Sequence, residues 1–324
     1  MGKKIGFAMN RLRAFARKVP GAYVVAGLPR LLWYLLKCRS LRTVLFAPPG
    51  HFYSPLPDIR YLKKRRERIF PRGKTPEDID LRPDAQLALL DVFAKLYAEH
   101  PFPPKPTAGF RYYYENTYYG CGDSLVLYGF LRHARPRRVI EVGSGFSSAV
   151  MLDVNDRFFD GSIRFTFIEP YPGRLLGLIG EADRSKHEVI AKVVQDVPVE
   201  TFTSLGENDL LFIDSSHVVK VGSDVHHLLF EVLPAVKPGV IIHFHDIHWP
   251  MQYPESWVMQ GRAYNETYFL RMLLRDNPQY RVEYFNTYMT SCHREALAEK
   301  MPLCLQEPGG GLWLRKVAPP QSTG

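Results

Sequence analysis

The stretch Arg138-Val-Ile-Glu-Val-Gly-Ser-Gly-Phe-Ser-Ser-Ala-Val150 constrains the fold more than any other part of the chain. Val139 to Val142 is a short apolar run of the kind that forms a buried strand. The chain then turns at Gly143-Ser144-Gly145. Ser147 is placed to cap a helix that continues through Met151 and Leu152. Strand, Gly-x-Gly turn and helix together open a nucleotide-binding βαβ unit. Glycines let the backbone approach a ligand, and a helix N-terminus offers free N–H groups. A dinucleotide fingerprint would need a third glycine at 148, where Ser148 stands. Glu141 would repel a pyrophosphate and suits a cationic amino-acid group better.

The chain has 324 residues, enough for one large α/β domain with extensions. Its charge is uneven. Residues 1–45 carry ten Lys/Arg and no acid, which leaves the other 279 residues at −1 within a formal total of +9. The basic character belongs to an N-terminal arm, so no nucleic-acid partner is expected. The apolar part of that arm, Ala22 to Leu36, is interrupted by Pro29 and Arg30, too short and broken to span a membrane. It also lacks the clean core of a signal peptide. The arm is either a membrane-surface segment that binds anionic lipid or a solvated or packed helical extension. Cys38, Cys121, Cys292 and Cys304 form no CxxC pair. That fits a reducing, cytoplasmic setting, with a place at the inner face of a membrane if the arm binds lipid.

The organisation expected from these patterns is a basic amphipathic arm over 1–45, a cap on the substrate side over 46–122, an α/β domain over 123–318 and a tail over 319–324. Residues 46–57 form a Pro/aromatic loop that either covers an active site or serves as a connector. Residues 60–74 are densely basic and read as a solvated helix face. Helix spacing runs from Asp84 to His100 and from Asp123 to His133. From Arg138 onward strands and helices alternate. Strands are expected at Val139–Val142, Ile163–Ile168, Val189–Val194, Asp209–Ile213, Val240–Phe244, Tyr280–Phe285 and Gly311–Arg315. Helices are expected at Ser147–Phe158, Gly173–Ile179, Ser223–Leu233 and Glu266–Arg275. The class is therefore α/β: a Rossmann-like, seven-stranded, mostly parallel sheet with helices on both faces, plus an N-terminal helical and loop cap.

In such sheets ligands bind beyond the carboxyl ends of the strands. Polar residues gather there: Glu141, Gly143 and Gly145 after the first strand, Glu169 after the second, Asp196 after the third, Asp214 after the fourth, His245 and Asp246 after the fifth. Over residues 138–250 the chain resembles the class I S-adenosylmethionine-dependent methyltransferases. The resemblance lies in Val-Ile-Glu-Val-Gly-Ser-Gly, Phe-Ile-Glu-Pro, Leu-Phe-Ile-Asp-Ser-Ser-His and Lys-Pro-Gly-Val-Ile-Ile-His-Phe-His-Asp. The last two are most similar to the methyltransferase-24 branch. The resemblance implies S-adenosylmethionine as cofactor, bound by Glu141, Gly143, Ser144 and Gly145, with ribose contact at Glu169, adenine-side contact at Asp196, and Asp214 beside it.

The catalytic group is expected among Asp214, His217, His245 and Asp246. Three chemistries compete. Asp214 and Asp246 could hold Mg²⁺, which takes oxygen ligands and lowers the pKa of a bound hydroxyl. That would resemble metal-dependent O-methyltransferases, although Ile247 stands where those carry Asn. His245 or His217 could instead act as general base. His243, one strand period before His245, could complete a two-His, one-carboxylate iron site with Asp246. Residues 247–265, with Trp249, Tyr253, Trp257 and Tyr264, suit a substrate lid. The expected reaction is O-methylation of a small-molecule or glycan-like acceptor. The alternatives are an NAD-linked oxidoreductase and a non-catalytic, membrane-associated cofactor-binding protein.

Overall fold

The computed structural model describes residues 46–70 and 76–318. The expected basic arm and the tail lie outside the described residues. Chain contacts divide the protein into Met1–Arg65 and Arg66–Gly324. In the first unit, residues 46–58 form turns that lead into helix Ile59–Lys64. Asp58 caps that helix, its Oδ1 accepting from Arg60 N at 2.8 Å and Tyr61 N at 3.2 Å.

The second unit is built on a seven-stranded sheet in the order β3-β2-β1-β4-β5-β7-β6. The strands are β1 Arg138–Val142, β2 Arg164–Ile168, β3 Glu188–Ile190, β4 Leu210–Ile213, β5 Ile241–Phe244, β6 Tyr280–Phe285 and β7 Leu312–Lys316. β1 to β5 pair in parallel, and β7 runs antiparallel to both β5 and β6. β4 and β5 are buried along their whole length, and β1 along all but its first residue. These are the continuous apolar runs of strands covered on both faces. The sheet starts are tied together by Asp209, whose Oδ1 accepts from the backbone N–H of Arg137 and Arg138, each at 2.9 Å.

The helices that position the site are α1 (Pro83–Tyr97), α2 (Cys121–Ala134), α3 (Phe146–Phe158), α4 (Gly173–Leu178), α5 (Asp224–His227) and α6 (Glu266–Leu274). Three local readings are corrected here. The cap of α3 is Gly145 rather than Ser147: Gly145 N donates to Ser148 Oγ at 3.0 Å. This leaves the Ser147 hydroxyl for another partner. β3 stops at Ile190 rather than Val194, because it is an edge strand with one neighbour and Val194–Asp196 curls into a 3₁₀ turn. The helix expected over Ser223–Leu233 is α5 followed by a wide π turn at Leu228–Val232 and a last turn at Leu233–Ala235. Pro234 sits in that last turn and has no N–H to donate. The loop after β5 also contains a helix, Glu255–Met259, entered from Pro254.

The segment before α2 is fastened by Arg111. Its guanidinium reaches Asp153 at 2.9 Å, Asp156 at 2.8 Å and Asp183 at 2.6 Å. Asp153 also accepts from Arg111 N at 3.0 Å and Tyr112 N at 2.9 Å. Removing the one cation would strand buried Asp153 among other carboxylates. Because Arg111 is partly exposed, the low end of the usual penalty applies. Arg111→Ala should cost about 3 kcal/mol, seen as a lower urea midpoint with an unchanged slope. A loss below about 1 kcal/mol would mean the clamp is not what holds the segment.

Candidate active site

The strand order reverses between β1 and β4, the switch point where a crevice opens in doubly wound sheets. A cavity of about 390 Å³ lies there, lined by Gly143, Glu169, Gln195, Asp214, Ser215 and Lys220 among others. Gly143 has φ +83°, and a Cβ at that position would stand 1.9 Å from the Asp214 carbonyl oxygen. Only glycine fits. Two backbone bonds hold the turn: Gly143 N donates to Ile168 O at 3.0 Å, and Asp214 N to Val142 O at 2.8 Å.

Glu141 is fully buried beneath this turn. Ser147 Oγ donates to its Oε1 at 2.5 Å, and Ser148 Oγ donates to its Oε2. Burial pushes the Glu141 carboxyl up to about 8, against the two hydroxyls that favour its ionised form. Ser144 is buried at the same turn. Glu169 stands at the cavity wall, with Oε1 accepting from Tyr171 N at 2.7 Å. Asp196 is exposed and does not line the cavity. Its neighbour Gln195 does. Gln195 Nε2 donates to Gly222 O at 2.8 Å, and its buried Oε1 has no partner among the described residues.

His217 joins the ends of β4 and β5. Its Nε2 lies 3.6 Å from Asp214 Oδ1 and 3.6 Å from Asp246 Oδ2. Its Nδ1 is 2.9 Å from Glu266 Oε2, at the start of α6. The Ser215 hydroxyl donates to the same carboxylate at 3.1 Å. Asn265 N donates to His217 O at 2.9 Å, and the Tyr264 ring lies 4.9 Å from the imidazole. Burial alone would depress the His217 pKa. The hydrogen bond and charge of Glu266, with Asp214 and Asp246, outweigh it and raise it to about 9. The two aspartates are more open, their side chains 40% and 27% exposed. His217 and Asp246 both have positive φ, +60° and +58°, which turns their side chains out of strand register.

His245 is buried to the same extent as His217. It is buried under Tyr119, ring centres 5.3 Å apart, and its Nε2 is 3.7 Å from Asp246 Oδ1. Burial works against its charged form, but Asp123, Asp214 and Asp246 raise its pKa. Asp123, on α2, accepts from Asn286 Nδ2 at 3.0 Å, and burial pushes its carboxyl up to about 6. His243 is a core residue, not an iron ligand: it is fully buried between Phe212 and Trp313, with ring centres 4.1 and 4.2 Å away.

Mg²⁺ at Asp214 and Asp246 is not supported by the arrangement, in which His217 Nε2 lies 3.6 Å from a carboxylate oxygen of each. Among the described residues no group of three or more His, Cys, Asp or Glu side chains could hold a metal ion. Nor does anything favour NAD: Ser148, at the third-glycine position, is buried and bonded to Glu141.

The aromatic loop after β5 packs on itself, with Tyr253 5.5 Å from Tyr264 and Trp257 6.0 Å from Tyr264. A larger cleft of about 530 Å³ lies on its outer side, lined by Phe70, Trp249, Met251, Tyr253 and Tyr268. It holds none of the strand-end polar residues. Sequence reasoning missed Glu266, Ser215, Gln195, Lys220, Tyr119 and Asp123.

A family described as a methyltransferase domain matches residues 140–247, from β1 to just beyond β5. An uncharacterized protein of Archaeoglobus fulgidus is 38% identical over 166 residues, which cover 50% of this chain and 74% of that one. Two solved structures are similar at low levels. A methyltransferase of Podospora anserina with SAH bound is 14% identical at TM-score 0.37, covering 81% of this chain and 97% of its own. An O-methyltransferase of Streptomyces achromogenes, involved in tomaymycin synthesis and solved with SAM, is 13% identical at TM-score 0.37, covering 80% and 98%. The sequence matches alone carry the assignment. The family match spans the glycine turn and every strand-end residue described above, and the chain belongs to the class I S-adenosylmethionine-dependent methyltransferases, in the methyltransferase-24 branch.

Proposed function

We propose that the protein transfers the methyl group of S-adenosylmethionine to an oxygen of a small-molecule or glycan-like acceptor. One observation supports this above the rest: part-open Asp214 lines the cavity at the switch point, and Asp214 and Asp246 both face an imidazole held by a third carboxylate. The cofactor's ribose hydroxyls would bond Glu169. The adenine amino group would donate to Gln195 Oε1, the unpartnered acceptor on the cavity wall, with Asp196 beyond it. The methionyl end would lie over Gly143, Ser144 and Gly145, its ammonium on the Glu141 side.

In the transfer the sulfonium–methyl bond breaks as an acceptor oxygen–methyl bond forms, which leaves a neutral thioether. The acceptor hydroxyl must lose its proton, because a neutral alcohol is a poor nucleophile. Asp214 and Asp246 would orient the hydroxyl, and His217 Nε2 would take the proton. His217 is protonated near pH 7 in the free protein. The incoming sulfonium charge beside Asp214 would push its pKa down and free the base as the complex forms. Glu266 fixes the ring by holding Nδ1, as second partners of catalytic imidazoles do. The aromatic loop supplies flat walls suited to a sugar or another ring.

Calorimetric titration tests the cofactor assignment: S-adenosylhomocysteine should bind and NAD should not. Glu169→Ala should weaken the former by about 1.5–3 kcal/mol, one hydrogen bond to a charged group. Unchanged affinity would take Glu169 out of the site.

A further inference from the structure

The cofactor's amino-acid end carries an ammonium and a carboxylate. Glu141 lies beneath the glycine turn for the ammonium. On the outer side of the same turn stands Arg174, in the first turn of α4. Its aliphatic stem crosses Gly145: a Cβ there would meet Arg174 Cδ at 3.2 Å. Its guanidinium carbon lies over Tyr118, 4.1 Å from the ring centre. Tyr118 in turn stacks on Phe146, the first residue of α3, at 5.6 Å and 14°. The stem and the two rings therefore hold the group at one place beside the turn.

Arg111, Arg132 and Arg271 each reach a carboxylate within 3 Å. Arg174 is exposed and has neither a carboxylate nor a hydrogen-bond partner among the described residues, only the Tyr118 ring. Its charge is felt at Asp214, where the enclosing strand ends push the carboxyl pKa up and His245, His217 and Arg174 pull it back. A stacked guanidinium with uncommitted donors matches a carboxylate in shape and charge. Gly145 allows the approach, since a side chain there would press on the Arg174 stem.

We propose that Arg174 binds the carboxylate of the cofactor's amino-acid end, opposite Glu141 and across the Gly143–Gly145 turn. This assignment rests on the cofactor reading above. It makes Arg174 a determinant of cofactor recognition, set by the Tyr118–Phe146 stack.

The test compares two nucleosides on the full chain, S-adenosylhomocysteine and 5′-methylthioadenosine, which lacks the amino-acid end. For Arg174→Gln, affinity for S-adenosylhomocysteine should drop roughly 10- to 100-fold, while 5′-methylthioadenosine binds as in the wild type. Arg174→Lys, which keeps the charge and loses the planar fork, should fall between. Equal weakening for both nucleosides would mean a loosened pocket and overturn the assignment. Unchanged S-adenosylhomocysteine affinity would overturn it too, including where a raised KM for an acidic acceptor places Arg174 on the acceptor side. A wild type that binds neither nucleoside would instead remove the cofactor reading itself, and this assignment with it.

Discussion

In Glu266→Gln the His217 pKa should fall from about 9 towards its ordinary value of 6.5, because burial stays while the Glu266 charge goes and only Asp214 and Asp246 still oppose it. Nuclear magnetic resonance titration of the imidazole reads this directly and needs no acceptor. The wild type carries a stability consequence with a definite sign. A histidine whose folded pKa is raised stabilises the fold fully below the unfolded value and loses that contribution as pH rises through the folded one. For His217 the window runs from 6.5 to about 9. Its share is at most about 3 kcal/mol, offset by the burial of Glu266. Glu266→Gln should flatten that dependence. With an acceptor in hand, the rising limb of the rate profile should move to lower pH in the variant. Its plateau should drop by about 10²-fold, since a misheld and weaker base loses most of a general base's usual contribution. A wild-type His217 that titrates at or below 6.5, or an identical value in the variant, would remove the dyad from the mechanism.

Glu266 shows where sequence reading stops. It stands 49 residues from His217, beyond α5, β5 and the helix Glu255–Met259, and no spacing rule joins them. The only local signal is an acid in the first turn of an amphipathic helix, a common feature with a common explanation in the helix dipole. The strands are a different matter. Apolar runs at β1, β4 and β5 are continuous because both faces are covered, so the sheet and its strand ends were legible from composition and period. The polar residues after those strands were legible for the same reason.

What the pattern could not rank was depth. His243 and His245 alternate onto one face of β5, and that face packs against Phe212, Trp313 and Tyr119. Asp246 escapes to the open side because its φ is +58°, a backbone choice invisible in the residue order. Asp196 and Gln195 show the same limit at a smaller scale. A 3₁₀ turn decides which of two adjacent side chains meets the cavity, and it selects Gln195.

Of the two glycines in the turn, only one should be indispensable to the fold. Gly143→Ala places a methyl group 1.9 Å from the Asp214 carbonyl oxygen, on a backbone at φ +83°. The left-handed conformation alone costs about 1 kcal/mol for alanine. The clash adds more, because the atom it meets is backbone and cannot swing away. Relief requires moving β1 from β4, which breaks the bond from Asp214 N to Val142 O at 2.8 Å. The expected loss is about 3–5 kcal/mol of stability, with S-adenosylhomocysteine affinity reduced at least about 100-fold in whatever remains folded. Gly145→Ala is the contrast. Its φ of −179° is extended backbone open to any residue, and the nearest atom to a new Cβ is Arg174 Cδ at 3.2 Å, on a flexible side chain. That variant should stay within about 1 kcal/mol of the wild type, and its affinity should fall only as far as Arg174 is displaced. Urea denaturation of the two variants side by side decides the matter. Equal stability losses would mean that the contact between Gly143 and Asp214 does not hold the strand ends in register.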